Sequence, residues 1–450
     1  MDYRKSTQFE TLCANIDHEM DVIQLIIYVV RPGDSIYSIA RLYGMNPETV
    51  ISDNALADPS NLAVGQTLVL MTDTIPHTVK RGQSLYSIAR AYGITLAQLQ
   101  AANPEITNPN RIKIGQVISI PVPSQMRRAI QVNGYAFPSI STDILSKTLP
   151  YLTFLSIFSY QVRPDGFLAP INDDALIQKA RQARVAPMLV ITNIEEGAGF
   201  SSELAHTVLT DMQVRQTLIN NIVSTLQAKN YYGLDIDFEY ILPEDGDAYD
   251  LFLRMVTERL HPLGFIVTTS LAPKLSADQR GLLYQAHHYP VHGSLADHVI
   301  LMTYEWGYTF GPPMAVSPIN QVRRVLNYAV TAIPSEKILM GMPNYGYDWM
   351  LPYKPRTAAR TLSNTQAPEL AFRKAAAIQF NTESQAPYFY YNDDAGMRHV
   401  VWFEDARSVQ AKLQLVDQYH LGGVSYWTIN RFFPQNWLVL SSMYTTEKLL

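Results

Sequence analysis

Asp235, Asp237 and Glu239 alternate with Leu234, Ile236 and Phe238 in the segment Tyr231-Tyr232-Gly233-Leu234-Asp235-Ile236-Asp237-Phe238-Glu239-Tyr240. On a strand, alternate residues share one face, and neighbours on that face lie about 6.6 Å apart. Three carboxylates therefore project from one side, and apolar side chains cover the other. The apolar side argues against a solvated surface strand. Burying three acids together costs desolvation and mutual repulsion, which pushes their proton affinities apart. Graded carboxylates suit acid catalysis. Glu239, at the strand's end, would donate a proton. Asp237, one step inward, would hold a polar group of the substrate. Asp235, deeper, would hydrogen-bond Asp237 and tune its protonation. A metal site of oxygen ligands fits less well, because no His or Asn supplements the acids and ligands stacked along one strand coordinate poorly.

Such a strand needs a scaffold. The chain has 450 residues, enough for about three units at roughly 150 residues each. Its composition, 47% apolar and 17% charged, is that of a globular protein. Beyond residue 127 apolar strands and helical patterns alternate. The strands are read as Ile130–Tyr135, Thr153–Phe158, Ala186–Ile191, Gly233–Glu239, Ile266–Leu271, His298–Tyr304, Lys337–Asn344 and Gly423–Thr428. Helices are read at Ala175–Arg184, Asp211–Lys229, Asp247–His261 and Ile319–Ala329. Eight such units predict an α/β fold, a closed (β/α)8 TIM barrel, with chemistry at the carboxyl ends of the strands. The stretch YFYYNDDAGMRHVVWF reads as a β-hairpin around Asp393–Gly396 within a small inserted α+β lobe, at about residues 350–405. Tyr135, Asn193, Trp306, Asn344 and Tyr345 fall at strand ends where a cleft belongs. Ordinary rim packing is the plain alternative for each.

Nearer the N-terminus a repeat is visible. YVVRPGDSIYSIARLYG from Tyr28 returns as HTVKRGQSLYSIARAYG from His77, and GQTLVL from Gly65 as GQVISIP from Gly115. Each copy reads as a βααβ module. Tyr28–Val30 and Thr78–Val79 are short strands, Ser35 and Ser84 are N-caps, and Gly44 and Gly93 stop the first helix. The second helix runs from Pro47, or from Leu96, to near Asn54 and Asn103. The modules are nearly neutral, so binding would rest on shape and hydrogen bonds rather than on field strength.

These repeats resemble the LysM carbohydrate-binding domain over residues 26–71 and 76–121. The resemblance implies binding to N-acetylglucosamine-containing glycans. The grooves would be formed by Gly33, Asp34, Ser35 and Ile36 with Pro59–Leu62, and by Gly82, Gln83, Ser84 and Leu85 with Asn108–Ile112. The carboxylate strand resembles the DGxDxDxE signature of glycoside hydrolase family 18, and the likeness extends over residues 128–450. Leu301-Met302-Thr303-Tyr304 stands where that family places a catalytic-site tyrosine. Gly423-Val424-Ser425-Tyr426-Trp427 stands where its Trp floors the cleaved sugar. Two departures are plain: Tyr232 replaces the motif's first Asp, and Glu305 replaces the Asp that often follows the tyrosine. The resemblance implies substrate-assisted retaining catalysis, with Glu239, Asp237, Asp235 and Tyr304 catalytic. Trp427, Tyr135, Asn193, Met302, Glu305, Trp306, Asn344 and Tyr345 would contact substrate, and no metal or cofactor is needed.

The combination resembles the spore-cortex-lytic N-acetylglucosaminidases of endospore-forming bacteria. It implies a peptidoglycan hydrolase associated with spore coat, cortex or cell wall. A chitinase and a glycan-binding protein without catalysis are the alternatives. The net charge of −5 implies no nucleic-acid partner. One cysteine, Cys13, excludes an intramolecular disulfide framework and a Cys-based zinc site. No HExxH and no G-x-S-x-G occurs. The polar N-terminal extension, residues 1–25, lacks the pattern of a secretory signal. The run Val22–Val30 is too short to cross a membrane and reads as a first strand. Met20 is a possible alternative start, and residues 122–127 read as a short linker.

Overall fold

Runs of β-branched and aliphatic residues become parallel strands when both their faces are covered. In the computed structural model, which describes residues 24–121, 127–195 and 197–450, eight such runs pair side by side. They are β1 (Arg128–Ala136), β2 (Phe154–Gln161), β3 (Ala186–Thr192), β4 (Gly233–Asp237), β5 (Ile266–Leu271), β6 (His298–Leu301), β7 (Ile338–Pro343) and β8 (Gly423–Trp427). Every neighbouring pair is parallel, and β8 closes onto β1 through Gly423 opposite Gln131 to Tyr426 opposite Gly134. This is a TIM barrel. The short strand Tyr444–Thr446 runs alongside the start of β1. The expected run Val22–Val30 is seen as the strand Gln24–Val29. The rest of the N-terminal extension and most of the linker lie outside the described residues.

Several sequence-derived boundaries shift for physical reasons. β4 ends at Asp237 rather than Glu239. Beyond it Asn193 takes over the role of a strand partner: its Oδ1 accepts the Glu239 N–H at 3.0 Å and its Nδ2 donates to the Glu239 carbonyl at 2.8 Å. β6 ends at Leu301 rather than Tyr304, because the Thr303 and Tyr304 amides turn back onto the carbonyls of Leu301 and Met302. The expected helix Asp211–Lys229 is Met212–Lys229. Asp211 ends a separate helix, Ser202–Thr210, and caps the next by accepting the Gln213 and Val214 amides.

The inserted lobe begins at Gly346, earlier than residue 350. It is a five-stranded antiparallel sheet in the order Arg360–Leu362, Gly346–Leu351, Arg398–Trp402, Ala386–Asn392, Gln379–Asn381, with the helix Gln366–Arg373. A Cβ on Gly346 would lie 2.4 Å from the Trp402 carbonyl oxygen, so only glycine lets the sheet start there. The Asp393–Gly396 hairpin forms as expected. Asp393 Oδ1 accepts the amides of Ala395 and Met397.

Both repeats are βααβ. Ser35 and Ser84 each close a capping box with the serine three residues on, at the helices Ile36–Leu42 and Leu85–Ala91. The helices Pro47–Asp53 and Leu96–Ala101 follow. The opening strand of the second copy is Thr74–Thr78, ahead of the Thr78–Val79 expected, and pairs antiparallel with Val117–Pro121. Asn54 and Asn103 do the same work in each copy. Asn54 exchanges hydrogen bonds with the backbone of Val69, Asn103 with that of Ser119.

The chain packs as two compact units. Residues 25–70 belong with 127–450, and the second repeat forms the other unit. The first repeat is therefore built onto the barrel unit. The Ile378 N–H donates to the Val64 carbonyl at 2.8 Å. Gln435 Nε2 donates to Asn54 Oδ1 at 2.9 Å and to the Thr67 carbonyl at 2.8 Å. Ala63 joins the apolar cluster of Leu362, Leu370, Ile378 and Phe403. A Cβ on Gly65 would lie 2.0 Å from the Ile378 carbonyl oxygen, whereas one on Gly115 meets nothing within 4 Å. Both glycines have a left-handed backbone, with φ of +85° and +82°.

Gly115→Ala is expected to cost the backbone strain alone, about 1–2 kcal/mol. Gly65→Ala should cost about 1–3 kcal/mol more through overpacking. Hydrogen exchange checks this: the Ile378 amide should lose protection in Gly65→Ala and keep it in Gly115→Ala.

Candidate active site

At the carboxyl end of the barrel a cleft of about 540 Å³ brings together Asp237, Glu239, Tyr304, Tyr135, Met302 and Trp427. The acids face the inside of the barrel, as their alternation requires. Asp235 is wholly buried beneath. The direct Asp235–Asp237 bond expected from the sequence is not among its contacts. Its carboxylate accepts instead from Tyr135 Oη and, at 2.8 Å, from Thr268 Oγ1. Tyr135 is anchored further by Ser270 Oγ at 2.7 Å. The reason is register: β4 pairs with β5, which sets Thr268 opposite Asp235. Asp237 is buried, and its Oδ1 has no hydrogen-bond partner. A buried polar atom of this kind, lining a cleft, is poised for a ligand's polar group.

Burial raises all three acids. Asp235 is pushed up to about 6 by desolvation, opposed by the hydrogen bonds from Tyr135 and Thr268. Asp237 is raised well above its ordinary range by desolvation and then by the charges of Glu239 and Asp235. Glu239, half-buried, is pushed up to about 7 by desolvation and then by Glu305. That is where a general acid working near neutrality belongs. Glu305 is exposed as a whole residue, but its carboxylate is gripped by Tyr345 Oη and, at 3.0 Å, by Tyr347 Oη. Glu305 and the residue after Glu239, Tyr240, both sit at left-handed φ, of 65° and 55°. Such strain collects at functional sites.

Trp427 closes the cleft floor. Its ring meets Phe158 edge-on at 4.7 Å between centroids and Tyr135 at 5.4 Å. Tyr304 can lie beside β7 only because residue 341 is glycine, where a Cβ would approach its ring to 2.8 Å. Glu305 and Trp427 also line a second stretch of about 450 Å³ that includes Asn344, Tyr345, Tyr347 and Arg431. The groove thus continues past Trp427. A smaller cavity of about 230 Å³, between the first repeat and the lobe, shares none of these residues.

The other expected site residues divide. Trp306 lines the main stretch and Tyr345 the outer one. Asn193 is fully buried and lines neither; it positions Glu239 through the backbone. Asn344 lines the outer stretch, while its Nδ2 donates to the Thr428 and Arg431 carbonyls and so ties down the loop after Trp427. In the repeats, Ile36 and Leu85 are core side chains, each 1% exposed, and cannot meet a glycan. Asp34 and Gln83 fold back onto their own loops, accepting the amides of Arg31 and Lys80. Ser35 and Ser84 are occupied as caps, and Gly33 and Gly82 make the left-handed turn ahead of them. A shallow depression in the second repeat includes Asn108 and Arg111 but none of Gly82, Gln83, Ser84 or Leu85.

Sequence reasoning missed Ser270, Tyr240, Tyr284, Tyr308 and Phe158, all in the cleft wall. The alternation of Thr268 and Ser270 along β5 marked an inward polar face. Tyr284 lies in the long loop after β5, where nothing signals its direction.

The model for glycosyl hydrolases family 18 matches residues 141–431, and the LysM domain model matches residues 28–70 and 77–121. The chain belongs to glycosyl hydrolase family 18. It is a glycosidase carrying two LysM domains. The cortical fragment-lytic enzyme of Bacillus subtilis is 41% identical over 94% of this chain and 99% of its own length. The solved structure of the Bacillus megaterium spore cortex-lytic enzyme SleL is 40% identical, with a TM-score of 0.87 over 96% of this chain and 100% of that one. A chitinase from Chromobacterium violaceum, 24% identical, shares the fold at a TM-score of 0.66 over 70% of this chain.

Two outcomes follow from the buried acids. A catalytic acid at Glu239 would need its proton, so kcat/KM is expected to fall as pH rises through about 7. Glu305→Gln removes a like charge, lowers the Glu239 pKa and should move that alkaline limb to lower pH, visible in a pH–rate profile. Stability runs in the same sense. Asp237 holds its proton more tightly folded than unfolded, so its favourable contribution is present below the ordinary value of 3.8 and is lost as pH rises through the raised one. Asp237→Asn should therefore raise the melting temperature more at pH 8 than at pH 4.

Proposed function

We propose that this family 18 glycosidase is a peptidoglycan hydrolase. It cleaves β-1,4 bonds next to N-acetylglucosamine by substrate-assisted retaining catalysis, and its substrate is spore cortex. The observation that carries the reading is the meeting of Glu239, the unpartnered Asp237 and Tyr304 over Trp427 in one cleft. The names of its relatives, a cortical fragment-lytic enzyme and a spore cortex-lytic enzyme, support the substrate.

In this reading the saccharide's own 2-acetamido oxygen attacks the anomeric carbon while Glu239 protonates the leaving oxygen. Asp237 supplies the partner for the acetamido N–H, Tyr304 donates to its oxygen and Trp427 stacks on the ring. A cyclic oxazolinium forms, and water activated by Glu239, now a base, opens it with retention of configuration. Holding the attacking group in place contributes an effective-molarity gain that can reach roughly 7–11 kcal/mol in well-oriented systems. Asp235, Tyr135 and Ser270 act from below by fixing the floor of the site. The LysM domains hold the enzyme on insoluble wall material, which raises its local concentration there. The protein is thus cortex- or wall-associated. Among the described residues no helix is long and apolar enough to cross a membrane.

Glu239→Gln is expected to lose about 10²–10⁴-fold in hydrolysis while still sedimenting with wall material. Mass spectrometry of products from purified spore cortex should place the new reducing end on N-acetylglucosamine. A new reducing end on the muramic sugar, or release only from chitin, would overturn the reading.

A further inference from the structure

Outside the cleft, three potential ligands gather, with a further imidazole next to one of them, where the first turn of the helix Gly246–Leu260 passes the helix Tyr289–Leu295. Asp247 and Asp250 are three residues apart, and His288 and His292 are four apart. Each spacing sets a pair on one helical face. One ligand atom from each of Asp247, Asp250 and His288 lies within 4.8 Å of the other two. His288 Nδ1 is 2.8 Å from Asp250 Oδ2.

The second observation is independent of that cluster. His292 is wholly buried, with its Nδ1 held by Thr269 Oγ1 at 3.1 Å. Its Nε2 has no hydrogen-bond partner and lies 3.9 Å from Asp250 Oδ1, which is also buried and unpartnered. That separation is too long for a hydrogen bond. It is within the span of about 4.2 Å that two atoms bound at roughly 2.1 Å can make across one ion. Two carboxylates balance the charge of a dication. The Thr269 contact fixes the orientation of the His292 ring.

We propose that Asp247, Asp250 and His288 bind a divalent transition-metal ion of the zinc class, with the buried His292 facing Asp250 from beneath. Imidazole with carboxylate suits such ions better than calcium or magnesium, which take oxygen ligands. The site is structural, because none of the four residues lines the cleft. Its reach is nonetheless functional. His287, next to His288, accepts the Ala272 N–H at 2.9 Å and binds the Phe238 carbonyl at 3.1 Å, between Asp237 and Glu239. An ion at the neighbouring residues stiffens the segment that holds the acid's own loop.

The full chain, stripped with chelator, would be titrated with Zn²⁺ by calorimetry and with Co²⁺ by visible absorption. One equivalent should bind, with Co²⁺ ligand-field bands of a low-coordinate N/O site and a raised melting temperature. Asp247 is exposed and His288 half-buried, so neither belongs to the apolar core. Asp247→Asn and His288→Gln should each weaken binding at least tenfold, with circular dichroism unchanged. Absence of binding overturns the proposal. So does binding whose affinity and spectrum persist in the Asp247→Asn/His288→Gln double variant, since that places the ion on other surface histidines.

Discussion

Asp235 and Asp237 are cut off from bulk water, and a charge placed there must be answered by the protein or given up to a proton. The barrel answers Asp235 fully, with a tyrosine from β1 and a threonine from β5. Asp237 it leaves unanswered. This inequality between two acids on one strand face gives the site its direction. The lower one is a fixed part of the scaffold and the upper one is open to whatever enters the cleft. Glu239, past the end of the strand, escapes the ladder and is held only through its backbone by Asn193. Its main chain is thereby fixed at the mouth of the cleft.

The two repeats show how one motif takes two uses. Their helices, caps and locking asparagines agree. What differs is the face presented by the last strand and the turn before it. The first copy carries Ala63 and Val69, both buried. The second has Lys113 exposed and Ser119 half-buried at the same places. The first face, with its bare glycine turn, docks onto the lobe; the second leaves Lys113, Ile114 and Val117 exposed.

Much of this was legible in the sequence. Strict alternation exposed the carboxylate face, and eight apolar strands separated by helical patterns announced the barrel. Serine caps and glycine stops outlined the repeats. What stayed hidden is contact chosen by register across distant chain segments. The alternation of Asp235 and Asp237 suggested that they bond each other, because a single strand does not reveal that Tyr135 and Thr268 arrive from the sides. Asn193 looked like a rim residue, since its position at a strand end says nothing of the backbone it clasps. Ile36 and Leu85 sit beside exposed turns in the sequence, yet helix geometry turns them inward. The split at Asp211 was likewise invisible, because an N-cap and a helix-interior acid read alike until the preceding helix is seen to end.

The docking of the first repeat has a mechanical meaning. Main-chain bonding at Ile378 and a side-chain clasp at Gln435 leave it no hinge of its own. A ligand held by that repeat would sit at one set offset from the cleft. Such a fixed offset is what a built-in ruler would need.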